Sequence, residues 1–397
     1  MTVGRYCGRG VRLLAVVVLA IGACGPAFAQ DGGVRAPFAR ESALGGPHAA
    51  LADDLSTLFS NPAGFRSAGP QLSLAEMTVG LSGPVFDLAN IFVEASGGSG
   101  IQGILGSGAV QTLLRSLRAR FGLTGPLAFG YVGGGLGFGF FNDTEVNLTS
   151  SGVVPTLAAV ARETFTLSGG YAFRLPLGGT RSTLDVGALL KAFVRGELAI
   201  RRDLLGLLGV LQNPSLDILL SNPFNLDVGV GIDVGLRYSL DQRFSVGLVV
   251  RNAYAPYLRN VYSSTQAILD GTSPGSREYQ LTPLDLSVGV GFRPVLGRLD
   301  RVISDLVLLV DYVDILDFVV QPATARNPVL HVGLGAELVL LDVLSLRAGF
   351  SQGLFAAGLG INLTFFSLNL SMFGQEMSTE PGLAPAYNVV LGLEFRL

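Results

Sequence analysis

The chain has 397 residues, of which 49% are hydrophobic and only 14% are charged, and 54 residues are glycine. The formal net charge of −3, which becomes more negative if the arginine-containing leader is removed, argues against nucleic acid as a partner. After the first 29 residues no apolar run reaches about 18 residues, so the sequence predicts no transmembrane helix.

Residues 1–29 have the three parts of a secretory signal peptide. A basic region with three arginines precedes an apolar stretch over residues 13–21, and residues 27–29 form an A-x-A cleavage site. We therefore predict that the mature chain begins at Gln30.

The same leader contains an alternative signal. Residues 21–24, Ile-Gly-Ala-Cys, resemble a lipobox and would make Cys24 a lipidated N-terminus. The two cysteines, Cys7 and Cys24, both lie in the leader. Cleavage after Ala29 therefore leaves a chain with neither a disulfide nor a cysteine metal site.

Residues 30–70 differ from the rest of the chain, and the stretch 48–65 reads HAALADDLSTLFSNPAGF. Its apolar residues recur at helical spacing, and the Asn-Pro pair after them favours a tight turn in which Gly64 takes a positive φ. Such a short helix does not fold alone, so we predict a plug, or hatch, that folds inside the remainder of the chain. The apolar residues are Leu51, Leu55, Leu58 and Phe59.

From residue 71 onward, apolar residues alternate with small or charged ones. Residues 226–240 read LDVGVGIDVGLRYSL, in which every even-numbered position is Leu, Val, Ile or Tyr. A β-strand turns successive side chains to opposite faces, and ~9–11 residues suffice to cross a bilayer. Over 71–397 we therefore predict an all-β, 14-stranded antiparallel transmembrane β-barrel with a polar lumen; a soluble β-sandwich is the alternative. The predicted strands are 71–82, 126–134, 136–148, 162–176, 182–199, 226–240, 243–254, 282–293, 303–315, 329–341, 343–351, 354–364, 365–374 and 387–397.

The predicted connections alternate in length, as they do in outer-membrane barrels. If the first strand runs outward, most external connections are long and most periplasmic ones are short, and both termini lie in the periplasm. This places the chain in the bacterial outer membrane. The external connections are 83–125, 149–161, 200–225, 255–281, 316–328, 352–353 and 375–386.

The positions predicted to face the lumen carry charges of both signs. A buried charge needs a partner, so mixed signs favour a salt-bridge network that braces barrel and hatch. The alternative is that Arg237, Arg251 or Arg293 contacts the carboxylate of a bound fatty acid. The charged positions are Asp185, Lys191, Arg195, Asp227, Asp233, Arg237, Arg251, Asp285, Arg293, His331, Glu337, Arg347, Glu394 and Arg396.

Two predicted external connections, within 85–93 and 203–222, are apolar where water-facing loops are polar. Exposed apolar patches mark binding sites, so these loops are candidates for capturing a ligand or a partner protein; packing on the barrel rim is the alternative. The second loop includes short predicted helices with Leu204, Leu205, Leu208, Leu211 and Leu219.

The stretch 48–65 resembles the start of FadL-type outer-membrane proteins, the long-chain fatty-acid transporters, and of the related PorV-like barrels. Those chains open with an acidic, Ala-rich helix that runs into an Asn-Pro-Ala-Gly turn. The resemblance implies a 14-stranded barrel plugged by an N-terminal hatch that moves during transport. The matching residues are Asp53, Asp54, Asn61, Pro62, Ala63 and Gly64.

The sequence favours transport over catalysis. It has only two histidines, His48 and His331, and no metal or phosphate motif, so we predict no enzyme, metal or cofactor. We expect a passive channel for hydrophobic small molecules such as long-chain fatty acids, in contact with outer-membrane lipid and folded by the barrel-assembly machinery. A PorV-like scaffold for secreted or surface proteins is the alternative, and a general diffusion porin is a third hypothesis.

Overall fold

The computed structural model describes residues 38–83, 117–151, 156–177, 181–203, 220–320, 322 and 325–397. Its strands are β1 (Gln71–Ser82), β2 (Arg118–Thr124), β3 (Phe129–Gly133), β4 (Leu136–Ser151), β5 (Thr156–Pro176), β6 (Ser182–Asp203), β7 (Phe224–Leu240), β8 (Phe244–Tyr254), β9 (Pro256–Tyr262), β10 (Ser276–Leu281), β11 (Asp285–Phe292), β12 (Ile303–Tyr312), β13 (Val332–Leu340), β14 (Leu344–Ser351), β15 (Leu354–Asn362), β16 (Phe366–Glu376) and β17 (Pro385–Arg396).

These strands form one antiparallel sheet that closes on itself, because β1 pairs with β17 on one side and with β2 and β3 on the other. At three positions in the wall, two strands lie end to end: β2 with β3, β8 with β9, and β10 with β11. The wall therefore has 14 strands, and the predicted 14-stranded barrel is confirmed.

The alternation along β7 shows which face of the wall is outside. Val228, Val230 and Val234 are exposed, whereas Asp227 and Asp233 at alternate positions are buried. Apolar side chains thus point away from the barrel and the small or charged ones point into its lumen. A closed barrel with an apolar outer surface satisfies its backbone hydrogen bonds within the wall, which is what a lipid bilayer requires.

The barrel has two different ends. At the turn end, short connections join the strands, and both the start of β1 and the end of β17 lie there. At the loop end, several strands extend farther than predicted: β5 begins at Thr156 rather than 162, and β6 ends at Asp203 rather than 199. The extension continues because Arg162 pairs in register with Glu145 on β4 and Glu197 on β6 after the apolar alternation has ended.

Two other boundaries differ from the prediction. The predicted connection 83–125 contains β2, which is followed by an irregular turn before β3. The sequence predicts a strand from residue 329, but His331 ends a 3-10 helix. Asn327 caps that helix by accepting from Val329 N at 3.1 Å, and Pro328 occupies its first turn.

The helical elements are short. They are α1 (Ala39–Ala43), α2 (Thr57–Ser60), α3 (Thr265–Leu269) and α4 (Asp317–Val320), with the 3-10 helices η1 (Pro62–Arg66), η2 (Gly297–Arg301) and η3 (Pro328–His331). Among the described residues, none of these helices is long and apolar enough to cross a membrane.

Residues 38–70 lie inside the lumen and form the hatch, which comprises α1, α2, η1 and the turns between them. Leu55, Leu58 and Phe65 of the hatch pack with Phe141 and Leu189 of the wall in one buried cluster. The longer helix predicted before Asn61 is reduced to the four residues of α2. Asp54 accepts hydrogen bonds from the backbone and hydroxyl of Ser56, which makes a turn where the prediction placed a helix.

Candidate functional site

Asn61 joins two parts of the hatch to the barrel wall. Its amide nitrogen donates to the carbonyl of Ala49 at 2.7 Å and to that of Leu236 on β7 at 3.1 Å. Its amide oxygen accepts from Ala63 N at 3.0 Å and caps η1. One fully buried side chain thus holds the turn, the preceding hatch segment and a wall strand together.

Glycines of the wall let the hatch backbone approach closely. A Cβ on Gly187 would overlap the carbonyl of Pro62, one on Gly247 would overlap the carbonyl of Ala49, and one on Gly349 would overlap Gly45 N. The hatch therefore contacts wall backbone where any other residue would hold it away. Other wall glycines that face hatch atoms include Gly137, Gly170, Gly235, Gly335, Gly358 and Gly392.

Gly64 has a different role from the one the sequence predicts. It lies within η1 and does not take a positive φ. A Cβ at this position would stand 2.6 Å from the Cγ2 atom of Thr57 and 3.0 Å from the Cβ of Ala52. The motif needs glycine here because two other parts of the hatch, at Ala52 and Thr57, pack against it.

A salt-bridge cluster holds the hatch near the turn end. Arg40 contacts Asp53 at 2.8 Å and Asp54 at 2.5 Å within the hatch, and it reaches Glu337 on β13. Burial opposes ionisation of Asp53, but Arg40 and Arg293 outweigh it and lower the pKa of Asp53 to about 2. Both carboxylates of the predicted hatch motif are therefore partners of Arg40.

The lumen arginines named from the sequence contact the hatch or wall carboxylates. Arg237 donates to the carbonyl of Ala50 at 2.9 Å and to Ser67 at 3.1 Å. Arg251 pairs with Asp285 at 2.6 Å and Arg347 with Glu337 at 2.6 Å, while Arg293 bridges Asp53 and Asp305 at 3.1 and 3.2 Å. These contacts support the bracing network that mixed charges predict.

The two histidines also act between elements. His48 of the hatch has both ring nitrogens near acceptors, with Nδ1 at Asp311 on β12 and Nε2 at 3.0 Å from the carbonyl of Leu44. His331 lies 3.1 Å from Asp317 of α4, at the loop end and away from Glu337. Among the described residues, no group of three metal-ligating side chains has the geometry of a metal site.

Glu41 of α1 is the least satisfied group in the hatch. It is buried, and neither of its carboxylate oxygens has a hydrogen-bond partner among the described residues. Burial, together with the negative charge of Asp54, raises the pKa of Glu41 to about 8. Burial therefore favours the neutral form of this side chain while the hatch is in place.

A cavity of about 280 Å³ separates the hatch from the wall at the turn end. Its lining is mostly polar and includes the Arg40 cluster, with Asp305, Glu337 and Asn369 on the wall. Glu76 on β1 and Glu394 on β17, which face each other in register, also line it. Space beneath the hatch is thus present but bounded by charged side chains.

Sequence reasoning missed Arg40 and Glu41, which stand in an unpatterned segment with no spacing that relates them to Asp53 or Glu337. The apolar loop residues predicted to capture a ligand or partner, Leu204, Leu205, Leu208, Leu211 and Leu219, lie outside the described residues, as does 85–93.

No family model and no curated protein matches this sequence. Solved structures with a similar fold include a mutant of the monoaromatic hydrocarbon channel TodX, at 11% identity and a TM-score of 0.47 over 92% of this chain and 98% of that chain. The P. putida toluene transporter TodX has 12% sequence identity and a TM-score of 0.41, over 89% of this chain and 99% of that chain. The translocator domain of the autotransporter NalP from Neisseria meningitidis has 8% identity and a TM-score of 0.33, over 83% of this chain and 89% of that chain. At these values the similarity is one of overall architecture.

Proposed function

We propose that this protein is an outer-membrane channel that passes hydrophobic small molecules, such as long-chain fatty acids, inward. The observation that carries the proposal is the hatch, whose Asn61 turn contacts the backbone of β7 where the wall has glycine. A passive route for an apolar ligand then needs displacement of the hatch rather than a permanently open pore. The resemblance of residues 53–64 to FadL-type chains supports the same function.

Capture at the loop end, transfer into the lumen and displacement of the hatch are the three steps of this proposal. The hatch is suited to move as a unit, because Asp53, Asp54, Asn61, Pro62, Ala63 and Gly64 contact one another or Arg40 inside it. Its contacts with the wall combine hydrogen bonds and salt bridges, which exchange readily with water, with the apolar cluster of Leu55, Leu58 and Phe65, which displacement of the hatch must also separate.

The test is uptake of labelled oleate by proteoliposomes that contain Asn61→Ala. We expect uptake to fall while the barrel remains folded, as judged by heat-modifiable migration in a detergent gel. Asn260→Ala is the matched control, because Asn260 donates to the carbonyl of Leu226 at 3.2 Å in the wall and does not touch the hatch. Wild-type uptake by Asn61→Ala would contradict gating at this turn.

A second candidate is a PorV-like scaffold that binds secreted or surface proteins. It is favoured by large apolar side chains that are exposed at the loop end, among them Phe318 on α4, Phe355 on β15 and Leu383. Deletion of residues 203–221 separates the two functions. Loss of a protein partner in pull-down experiments with retained oleate uptake favours the scaffold, and loss of uptake favours the channel.

A further inference from the structure

One connection at the turn end of the barrel is longer than reversal of the chain requires. Residues 293–302 join β11 to β12 and contain η2. Residues 241–243 and 341–343 suffice for the hairpins on either side of it in the wall. The additional residues of this connection are therefore not needed to bring β11 and β12 together.

Backbone hydrogen bonds fix both ends of this connection to the neighbouring turns. At its start, Arg293 N donates to the carbonyl of Arg243 at 2.7 Å. At its end, Leu341 N donates to the carbonyl of Val302 at 3.0 Å. The connection is thus held in one place, and Arg243 lies beside its first residue.

The side chains of η2 are sorted by the geometry of a 3-10 helix, in which residues three apart share a face. Arg298 and Arg301 lie on one face, and Leu299 and Val302 lie on the next. Leu299 and Val302 are 57% and 54% exposed, and Val295 just before the helix is 63% exposed. The connection therefore presents a cationic face beside an apolar one.

The cations of this surface are not paired within the protein. Arg243, Arg298 and Arg301 are exposed, and among the described side chains none of the three takes part in a salt bridge. Their guanidinium groups are therefore available to an anion outside the barrel.

The described carboxylates near this surface are directed elsewhere. Asp241 forms a salt bridge with Arg181 at 2.5 Å, and Asp305 forms one with Arg293 at 3.2 Å. Asp342, in the next turn, lines the cavity beneath the hatch. The cationic face of η2 is thus complementary in charge to an external anion.

The apolar face of η2 continues the outer surface of the wall. Phe244 and Phe292 pair in register at the turn end of β8 and β11, and both rings are exposed. Aromatic side chains at such an edge mark the boundary between the apolar core of a bilayer and its headgroups. Since η2 follows Phe292 closely in the chain, it lies at the level of the headgroups, where apolar side chains reach acyl chains and arginines reach phosphates.

We propose that η2 and Arg243 form a docking surface for an anionic phospholipid in the leaflet at the turn end, which the predicted orientation makes the periplasmic leaflet. The headgroup phosphate lies against Arg243, Arg298 and Arg301, and the acyl chains cover Leu299 and Val302. Arginine suits this group because its planar guanidinium donates two parallel hydrogen bonds to a phosphate. A zwitterionic lipid binds less well, because its ammonium group offsets the phosphate charge. This surface lies on the outside of the barrel and goes beyond the passage of ligands through the lumen.

The experiment counts, by native mass spectrometry, the lipids that stay on the full-length protein when it is released from nanodiscs. The nanodiscs contain equal amounts of dioleoylphosphatidylglycerol, which is anionic, and dioleoylphosphatidylcholine, which is zwitterionic. We expect the wild type to retain the anionic lipid in excess, and Arg298→Gln to lower that excess roughly 5-fold, the factor that one arginine near an anionic lipid surface contributes. Arg243→Gln combined with Arg298→Gln and Arg301→Gln should abolish it. Arg277→Gln is the matched control, because it removes an exposed arginine of β10 at the loop end.

Heat-modifiable migration shows whether each variant is folded, and the substituted side chains are all exposed. Equal lipid ratios on the wild type and the triple variant overturn the proposal. An equal fall in Arg277→Gln also overturns it, because overall charge would then attract the lipid. Leu299→Ser keeps the cations and should lower retention through loss of apolar contact. Full retention by Leu299→Ser, together with displacement of the lipid by glycerol phosphate, would indicate a phosphate site instead of lipid docking.

Discussion

The side chain of Asn61 occupies the space into which a side chain at position 235 would project. A Cβ added to Gly235 would overlap the Oδ1 atom of Asn61 and stand 3.1 Å from Ala63 N. The Asn-Pro-Ala turn and this glycine are therefore one fitted contact, although 174 residues separate them.

This contact predicts that Gly235→Ala displaces the hatch while the barrel stays closed. Overpacking of this kind costs ~1–3 kcal/mol, and moving the turn relieves it more readily than bending a paired wall strand does. Single-channel recordings in planar bilayers should show more frequent openings. Gly231→Ala is the control on the same face of β7, because its Cβ would meet nothing closer than 3.4 Å. Equal conductance of the two variants would contradict a close fit at Asn61.

Loss of the Arg40 cluster should loosen the hatch more than Gly235→Ala does. Arg40→Met leaves Asp53, Asp54 and Glu337 without their shared cation, and removal of one partner from a buried ionic group costs ~3–5 kcal/mol. We expect proteolysis within residues 38–60 in the folded barrel, whereas the wild type resists. Arg181→Met removes a salt bridge to Asp241 that is exposed at the turn end, and it should leave protection unchanged. Unchanged protection in Arg40→Met would show that Arg40 does not hold the hatch.

Glu41 predicts that the hatch is held less firmly at high pH. Burial raises the pKa of Glu41 from 4.5 to about 8, so the closed hatch binds a proton that a displaced, hydrated Glu41 releases. The stabilising effect is complete below pH 4.5 and is lost as the pH rises toward 8. Channel openings should therefore become more frequent between pH 5 and pH 8.5. Glu41→Gln should remove this dependence, and an unchanged pH profile in that variant would assign it to another group.

A charged side chain on the apolar outer face of the wall should lower the stability of the barrel in a bilayer. Val234 lies midway along the exposed apolar row of β7, so Val234→Arg should destabilise the barrel in liposomes by ~2–4 kcal/mol. Leu341→Arg is the control, because Leu341 is exposed in a connection at the turn end rather than on the wall. Unfolding by guanidinium in liposomes measures the stability of both variants. Equal stability of the two variants would contradict a membrane-spanning face at Val234.

Strand periodicity alone determined the architecture. The alternation in residues 226–240 assigns each side chain to the lipid or the lumen, because strand geometry has a period of two and a one-residue shift would expose the charges to lipid. It therefore predicted the number of wall strands and the inward position of Asp227, Asp233 and Arg237. The predicted strands ended too early at the loop end, because charged pairs such as Arg162 with Glu197 replace the apolar alternation there.

The hatch motif was also visible in the sequence, because the Asn-Pro pair and Gly64 are local turn signals. The residues that this motif contacts could not be predicted from the sequence. Asn61 meets Gly235, Arg40 meets Glu337, and Asp227 forms its salt bridge with Arg259 rather than with Arg195, its neighbour in register on the other side. These relationships depend on strand register and on how far the hatch enters the lumen, and both are set by pairings between residues far apart in the chain. Only the tertiary structure therefore decided which of the lumen charges contact the hatch and which pair within the wall.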